Sequence, residues 1–140
     1  MDFVKVVNGH PKPYTEKAFR EDNPNTVYGR VIPARHLKAQ GVFRVRTLSK
    51  PEEPVGMKAV KNSLPSLNEF NEWVLGWTLV PLNSQEIRDL RDRLLAESDW
   101  TQVSDAPTDK LAWASYRQSL RDIPQQKGFP DNVIWPEKPE

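Results

Sequence analysis

Glu97 and Asp105 form the best-placed pair of carboxylates in this sequence for acid–base work on a glycosidic bond, one on each side of a turn between two helix-forming stretches. Such chemistry needs two carboxyl groups about 5 to 10 Å apart beside a sugar-sized cleft. A helical hairpin with a short turn offers no such cleft. Asp99 and Asp105 also have a simpler use, accepting backbone amides in turns and caps. His10 and His36 lie in or beside loops without a His, Cys or acidic residue at ligand spacing, whereas zinc takes three or four such groups. There is no cysteine, so disulfides, thiolate metal sites and cysteine nucleophiles are excluded. Neither a glycine-rich phosphate loop nor a nucleophile elbow occurs. The expectation is a chain that is not an enzyme and has no cofactor, metal or small-molecule substrate.

What remains is the chemistry of contact. Trp73, Trp77, Trp100, Trp113 and Trp135 are either core residues or anchors for another protein, because large aromatic rings serve both ends. Trp100, Trp113 and Trp135, with Tyr116 and Phe129, recur in a helical region short of other apolar volume, and are expected to form its aromatic core. Trp73 and Trp77 stand in a strand-forming stretch whose sheet is too small to bury both faces, and are candidates for partner binding. Arg44 and Arg46 alternate with Phe43, Val45 and Thr47. One strand face is therefore cationic, fit either to meet an acidic partner or to keep an edge from aggregating. Arg117, Arg121 and Asp122 read as helix-surface pairs of small individual value.

The elements that must position these residues follow from local pattern. Residues 2–7 are short and β-branched and stop at Asn8-Gly9, a pair suited to positive φ in a tight turn. His10-Pro11-Lys12-Pro13 forces extended chain. A short helix fits residues 15–21 with Thr15 as cap, and another fits residues 34–39 before Gly41. Strands are expected at residues 42–48, 57–64 and 72–80, the last two as a hairpin turning through residues 65–71. The final strand should set Trp73, Leu75, Trp77 and Leu79 on one side and Val74, Gly76 and Thr78 on the other. Chemistry changes after Pro81. Asn83 and Glu86 have the spacing of a capping box, and Ile87, Leu90 and Leu94 then mark one apolar stripe to about Ser98. A second helix begins near Thr108 or Asp109, carries Trp113, Tyr116, Leu120 and Ile123, and stops at Pro124. The proline-rich tail holds Phe129, Ile134 and Trp135 and must return to pack, since two helices cannot close a core alone.

The expected fold is therefore α+β: a small N-terminal antiparallel β-sheet with short helices over residues 1–82, then a C-terminal helical hairpin capped by an aromatic tail over residues 83–140. Charge follows the same division, with 12 Lys/Arg against 8 Asp/Glu in the first part and 8 against 11 in the second. Net charge is only +1, which removes the broad electrostatic footprint of a nucleic-acid or membrane-surface binder. No stretch approaches the roughly 20 apolar residues of a membrane span.

Residues 91–102 (RDRLLAESDWTQ), 105–107 (DAP), 112–124 (AWASYRQSLRDIP), 128–130 (GFP) and the closing Trp135-Pro136 resemble, in that order, the C-terminal domain of phage tail assembly chaperone proteins. The remainder resembles the N-terminal part of tail-fibre assembly proteins: an opening FVKV strand with Asn-Gly, a short helix leading to Asp22-Asn23-Pro24-Asn25, a Gly-Val-Phe-Arg-Val strand, and a hairpin with two tryptophans. The turn at residues 67–71 departs from that pattern by lacking Asp-Gly. The resemblance implies a tail-fibre assembly chaperone that binds a trimeric fibre protein in the host cytoplasm. The alternative it leaves open is a virion component, a fibre cap or a fibre-to-baseplate adaptor, that stays in the mature tail.

Overall fold

The computed structural model describes residues 3–140 and shows a mixed α+β chain in two compact units. Asp2, at the start of the expected first strand, lies outside the described residues. Among the described residues, one unit comprises 3–52 and Ala59–Thr78, the other Glu53–Lys58 and Leu79–Glu140.

In the sheet-bearing unit, β1 (Phe3–Val7) turns at Asn8 and Gly9, with φ of 52° and 78°, and returns as β2 (His10–Tyr14). The pairing is antiparallel from Val7 opposite His10 to Phe3 opposite Tyr14. The sequence predicts only extended chain for β2. It is an edge strand, where its two prolines are tolerated because their missing N–H groups fall on the outward side. β3 (Val42–Arg44) pairs along the other side of β1, giving the order β2-β1-β3.

Helices α1 (Glu16–Asp22) and α2 (Ala34–Ala39) complete this core. The hydroxyl of Thr15 accepts the Ala18 N–H at 3.1 Å and caps α1 as its residue type predicts. Phe3, Phe19, Ile32, Leu37 and Val42 are buried together, with Tyr14 and Tyr28 packed on them. Tyr14 also donates to Asp22. Burial, followed by that hydrogen bond and the charge of Asp22, pushes the phenol up to about 12.

Two strand expectations need correction. Residues 42–48 do not run as one strand: after β3 the chain leaves the first sheet, and β4 (Arg46–Thr47) pairs in parallel with β7 (Trp73–Leu75). Residues 72–80 are likewise interrupted at Gly76, so that β7 joins a sheet of order β4-β7-β6 while β8 (Trp77–Pro81) pairs with β5 (Met57–Lys61). The two-sided pattern expected there is lost. Val74 and Leu75 are consecutive yet both buried, as befits a central strand covered on both faces.

In the other unit, α3 (Ser84–Glu97) starts with the expected capping box: Asn83 accepts from the Glu86 N–H at 2.9 Å, and Glu86 accepts from the Asn83 N–H at 2.8 Å. A 3-10 turn, Asp99–Gln102, leads towards α4 (Lys110–Arg121), which Asp109 caps, and a second 3-10 turn, Ile123–Gln125, contains Pro124. Ile87, Trp113, Tyr116, Leu120 and Ile123 are buried as one cluster, with Phe129, Val133 and Trp135 of the tail against it. Gln126 fastens the tail by exchanging two hydrogen bonds with the Ile134 backbone, at 2.7 and 2.8 Å. Gly56, at φ 85°, lies directly under the Trp135 ring, where a Cβ would come within 2.7 Å of the indole nitrogen. Only glycine fits there.

Candidate partner-binding surface

β6 (Ser66–Leu67) returns as β7 with Ser66 opposite Val74 and Leu67 opposite Trp73. The turn between them lacks Asp-Gly but solves the same problem with two asparagines. Asn71 takes φ 57°, a left-handed conformation that asparagine tolerates better than most residues. The Asn68 carboxamide oxygen accepts from the Phe70 and Glu72 N–H groups, both at 2.9 Å. The Asn68 backbone closes the turn on the Glu72 carbonyl at 3.0 Å. The Glu72 carboxylate in turn accepts from the Asn68 side chain and from Arg46, both at 3.0 Å. The Asn68 hydrogen bond, followed by Arg46, holds that carboxyl below its ordinary range.

A turn tied in this way does not need its apolar residue for its own stability, yet Phe70 stands at its tip and is 74% exposed. Leu64 and Leu67 are also substantially exposed. Beside them Phe43 and Trp73 lie with ring centroids 6.1 Å apart. These rings, with Val6, Gly41, Leu67 and Asn71, line a shallow recess of about 470 Å³. A second recess of about 350 Å³ shares Phe43, Asn71 and Trp73 and is walled by Arg44, Arg46 and Glu72. Three of the four sequence candidates therefore meet here: Trp73, Arg44 and Arg46.

The two arginines also have partners of their own. Arg44 donates to the Ile32 carbonyl at 2.9 Å and lies over the Phe3 ring, while Arg46 pairs with Glu72. Trp77 belongs to a different place in the same unit. Its indole N–H donates to the Leu48 carbonyl at 2.9 Å and its ring lies under Lys61. Phe70 was not among the sequence candidates, although an aromatic inside an asparagine-bounded turn was a usable signal.

Among the residues expected to form the aromatic core, Trp113 and Tyr116 are buried, and Phe129 and Trp135 are half-buried against them. Trp100 requires a correction, being 52% exposed with its ring against Trp113 at 6.2 Å. Successive residues of a three-residue helical turn point in directions about 120° apart, and Thr101 takes the inward one with no exposure at all.

Arg117 corrects a second expectation. It is not a surface residue but 7% exposed, donating to the Leu95 carbonyl at 2.6 Å, the Ser98 hydroxyl at 2.7 Å and the Asp99 carboxylate at 2.6 Å. It thereby satisfies the carbonyl end of α3, where a cation also meets the negative end of the helix dipole. Its place was legible, since residues 113, 116, 117 and 120 share one helix face. Arg117→Met, which keeps much of the stem and removes every donor, should destabilise the chain by about 2 to 3 kcal/mol in a urea melt.

Glu97 and Asp105 are both exposed, and Glu97 faces Arg93 at 3.9 Å. His10 lies on edge strand β2, and His36 packs edge-on to Tyr28. Among the described residues no group of His, Cys, Asp and Glu is arranged to hold a metal ion, and no helix is long and apolar enough to cross a membrane.

Residues 84–140 match the family model of the phage tail assembly chaperone protein. Over this segment, less than half of its length, the chain is similar to that family. The match covers α3, α4 and the tail, the same stretch that carries the buried tryptophan and the Arg117 network. No curated protein and no solved structure matches the chain. The likeness over this segment supports a role in bacteriophage tail assembly.

Proposed function

We propose that the chain is a tail-fibre assembly chaperone without catalytic activity, and that its sheet-bearing unit grips the unfinished fibre protein. The observation that carries the reading is the Phe70 turn. It is an exposed aromatic on a hydrogen-bonded support, beside the apolar recess of Phe43 and Trp73 and next to the short strand β6 at the edge of its sheet. Preorganised aromatic anchors are what binding hot spots are made of. A trimeric β fibre has strands that stay unpaired until three chains meet, and such edges aggregate unless covered. The β6 edge offers backbone pairing to one of those strands, and Phe70, Leu67 and Trp73 offer apolar cover to its side chains. Arg44 and Arg46 at the second recess favour acidic residues on the partner's rim.

Co-expression with the fibre protein tests this. The fibre is expected in the soluble, trimeric fraction with the chaperone present and in inclusion bodies without it. Phe70→Ala combined with Trp73→Ala should reduce capture of the fibre by at least about 30-fold, taking about 2 kcal/mol as a hot-spot value. Equal recovery of soluble trimer in the absence of the chain would sink the proposal. Mass spectrometry of purified particles then separates a released chaperone from a cap or baseplate adaptor, which would be present in stoichiometric amount.

A further inference from the structure

The C-terminal unit has its own concavity, lined by helix, turn and tail residues. Leu94, Glu97, Trp100, Pro107, Trp113 and Tyr116 are among the residues lining a recess of about 320 Å³, to which Lys138, Pro139 and Glu140 of the tail also contribute. We infer that this recess is a docking socket for a lysine or arginine on an extended segment of a partner protein, and that the chain's own Lys138 holds the socket until that partner arrives.

Three observations lead there. The socket is framed by aromatic rings: Trp100 lies 6.2 Å from Trp113 at 55°, and Tyr116 lies 5.7 Å from Trp113 at 89°. Rings set at angles around one space favour a cation over their faces. The Lys138 ammonium already takes such a position, 5.9 Å from the centre of the Trp113 ring. The rim is also complementary in charge. Glu97 lines the recess, and its carboxylate adds to burial in pushing the Tyr116 phenol up.

The third observation concerns hydrogen bonding. Trp113 is 5% exposed, yet among the described residues its indole nitrogen finds no hydrogen-bond partner, and the Thr108 hydroxyl is likewise buried without one. Both residues line the recess. Buried donors left open are uncommon in folded proteins and call for an explanation. An extended segment entering the socket brings backbone carbonyls able to accept from them while its basic side chain goes to the aromatic faces. Lys138-Pro139 supplies a cation without pairing either donor, as a placeholder would. The socket lies on a different unit from the Phe70 turn, so either surface can fail in experiment without the other.

The test uses the full chain, as wild type and as Lys138→Ala, in which an exposed tail residue is truncated. Each is titrated with the blocked peptide Glu-Lys-Pro-Glu and with its Gln-for-Lys counterpart, following indole N–H resonances by NMR. The lysine peptide should bind Lys138→Ala about tenfold more tightly than wild type, moving the Trp100 and Trp113 signals, and about tenfold more tightly than the glutamine peptide does. Glu97→Gln, made at an exposed position in the Lys138→Ala background, should weaken it several-fold. The inference is overturned if the vacated chain does not bind the lysine peptide, or if it binds both peptides alike.

Discussion

Trp113→Ala should lower stability by about 3 to 5 kcal/mol, the range for truncating a large buried aromatic, enough to unfold the C-terminal helical unit. Trp113 touches both Trp100 and Tyr116 and belongs to the cluster of Ile87, Leu120 and Ile123 on which the tail packs. Its removal opens a hole that two short helices cannot close by collapsing, because Arg117 and the Gln126 clasp hold α4 and the tail in place. Circular dichroism followed through a thermal melt checks this, with loss of helical signal well below the wild-type midpoint as the expected result. An unchanged midpoint would mean that the ring is not central to the domain.

Phe19→Ala should have an effect of the same size, about 3 to 5 kcal/mol, but through the sheet-bearing unit. Phe19 is wholly buried between the β2-β1-β3 sheet and its two helices, with its ring 5.5 Å from Tyr28. α1 has only seven residues, too few to persist without the packing of this one apolar side chain. A urea melt gives the stability change, and the same variant should lose the proposed fibre capture even though Phe70 and Trp73 are intact. Capture at wild-type level by a Phe19→Ala chain that has lost its sheet signal would separate binding from this fold.

These two residues were reached from sequence with different ease. Trp113 stands on a stripe at spacings of three and four that runs to Ile123, and the Asn83–Glu86 box fixed where the preceding helix begins. Local pattern therefore describes the C-terminal helical unit well, apart from the direction of Trp100 and the buried role of Arg117. Both exceptions are matters of rotation about a helix axis. Thr101 displaces Trp100 from the interior, and Arg117 shares the buried face with Trp113 and Tyr116 because its charge can be spent on the open carbonyls of α3.

The sheet-bearing unit was harder to read, for a physical reason. Strand pairing there is non-local: β4 meets β7 in parallel, and breaks at Val45 and Gly76 pass the chain from one sheet to another. Alternation along residues 42–48 and 72–80 shows that the chain is extended, but it does not say where it changes partner. The candidate surface inherited that uncertainty. Trp73, Arg44 and Arg46 converge only because β7 lies where residues 43–46 can reach it, and Trp77 is lost to them once Gly76 breaks the strand. Phe70 is hard to read from sequence because its turn is built from asparagine side chains rather than from the Asp-Gly that announces a hairpin.

Hydrogen exchange on this chain, free and mixed with the fibre protein, tests the proposed fibre-chaperone role most directly. Amides from residue 64 to residue 75 should become strongly protected on binding, as a fibre strand adds to β6 and covers Phe70. Protection confined to residues 84–140, with the Phe70 turn exchanging as fast as in the free chain, would contradict the account.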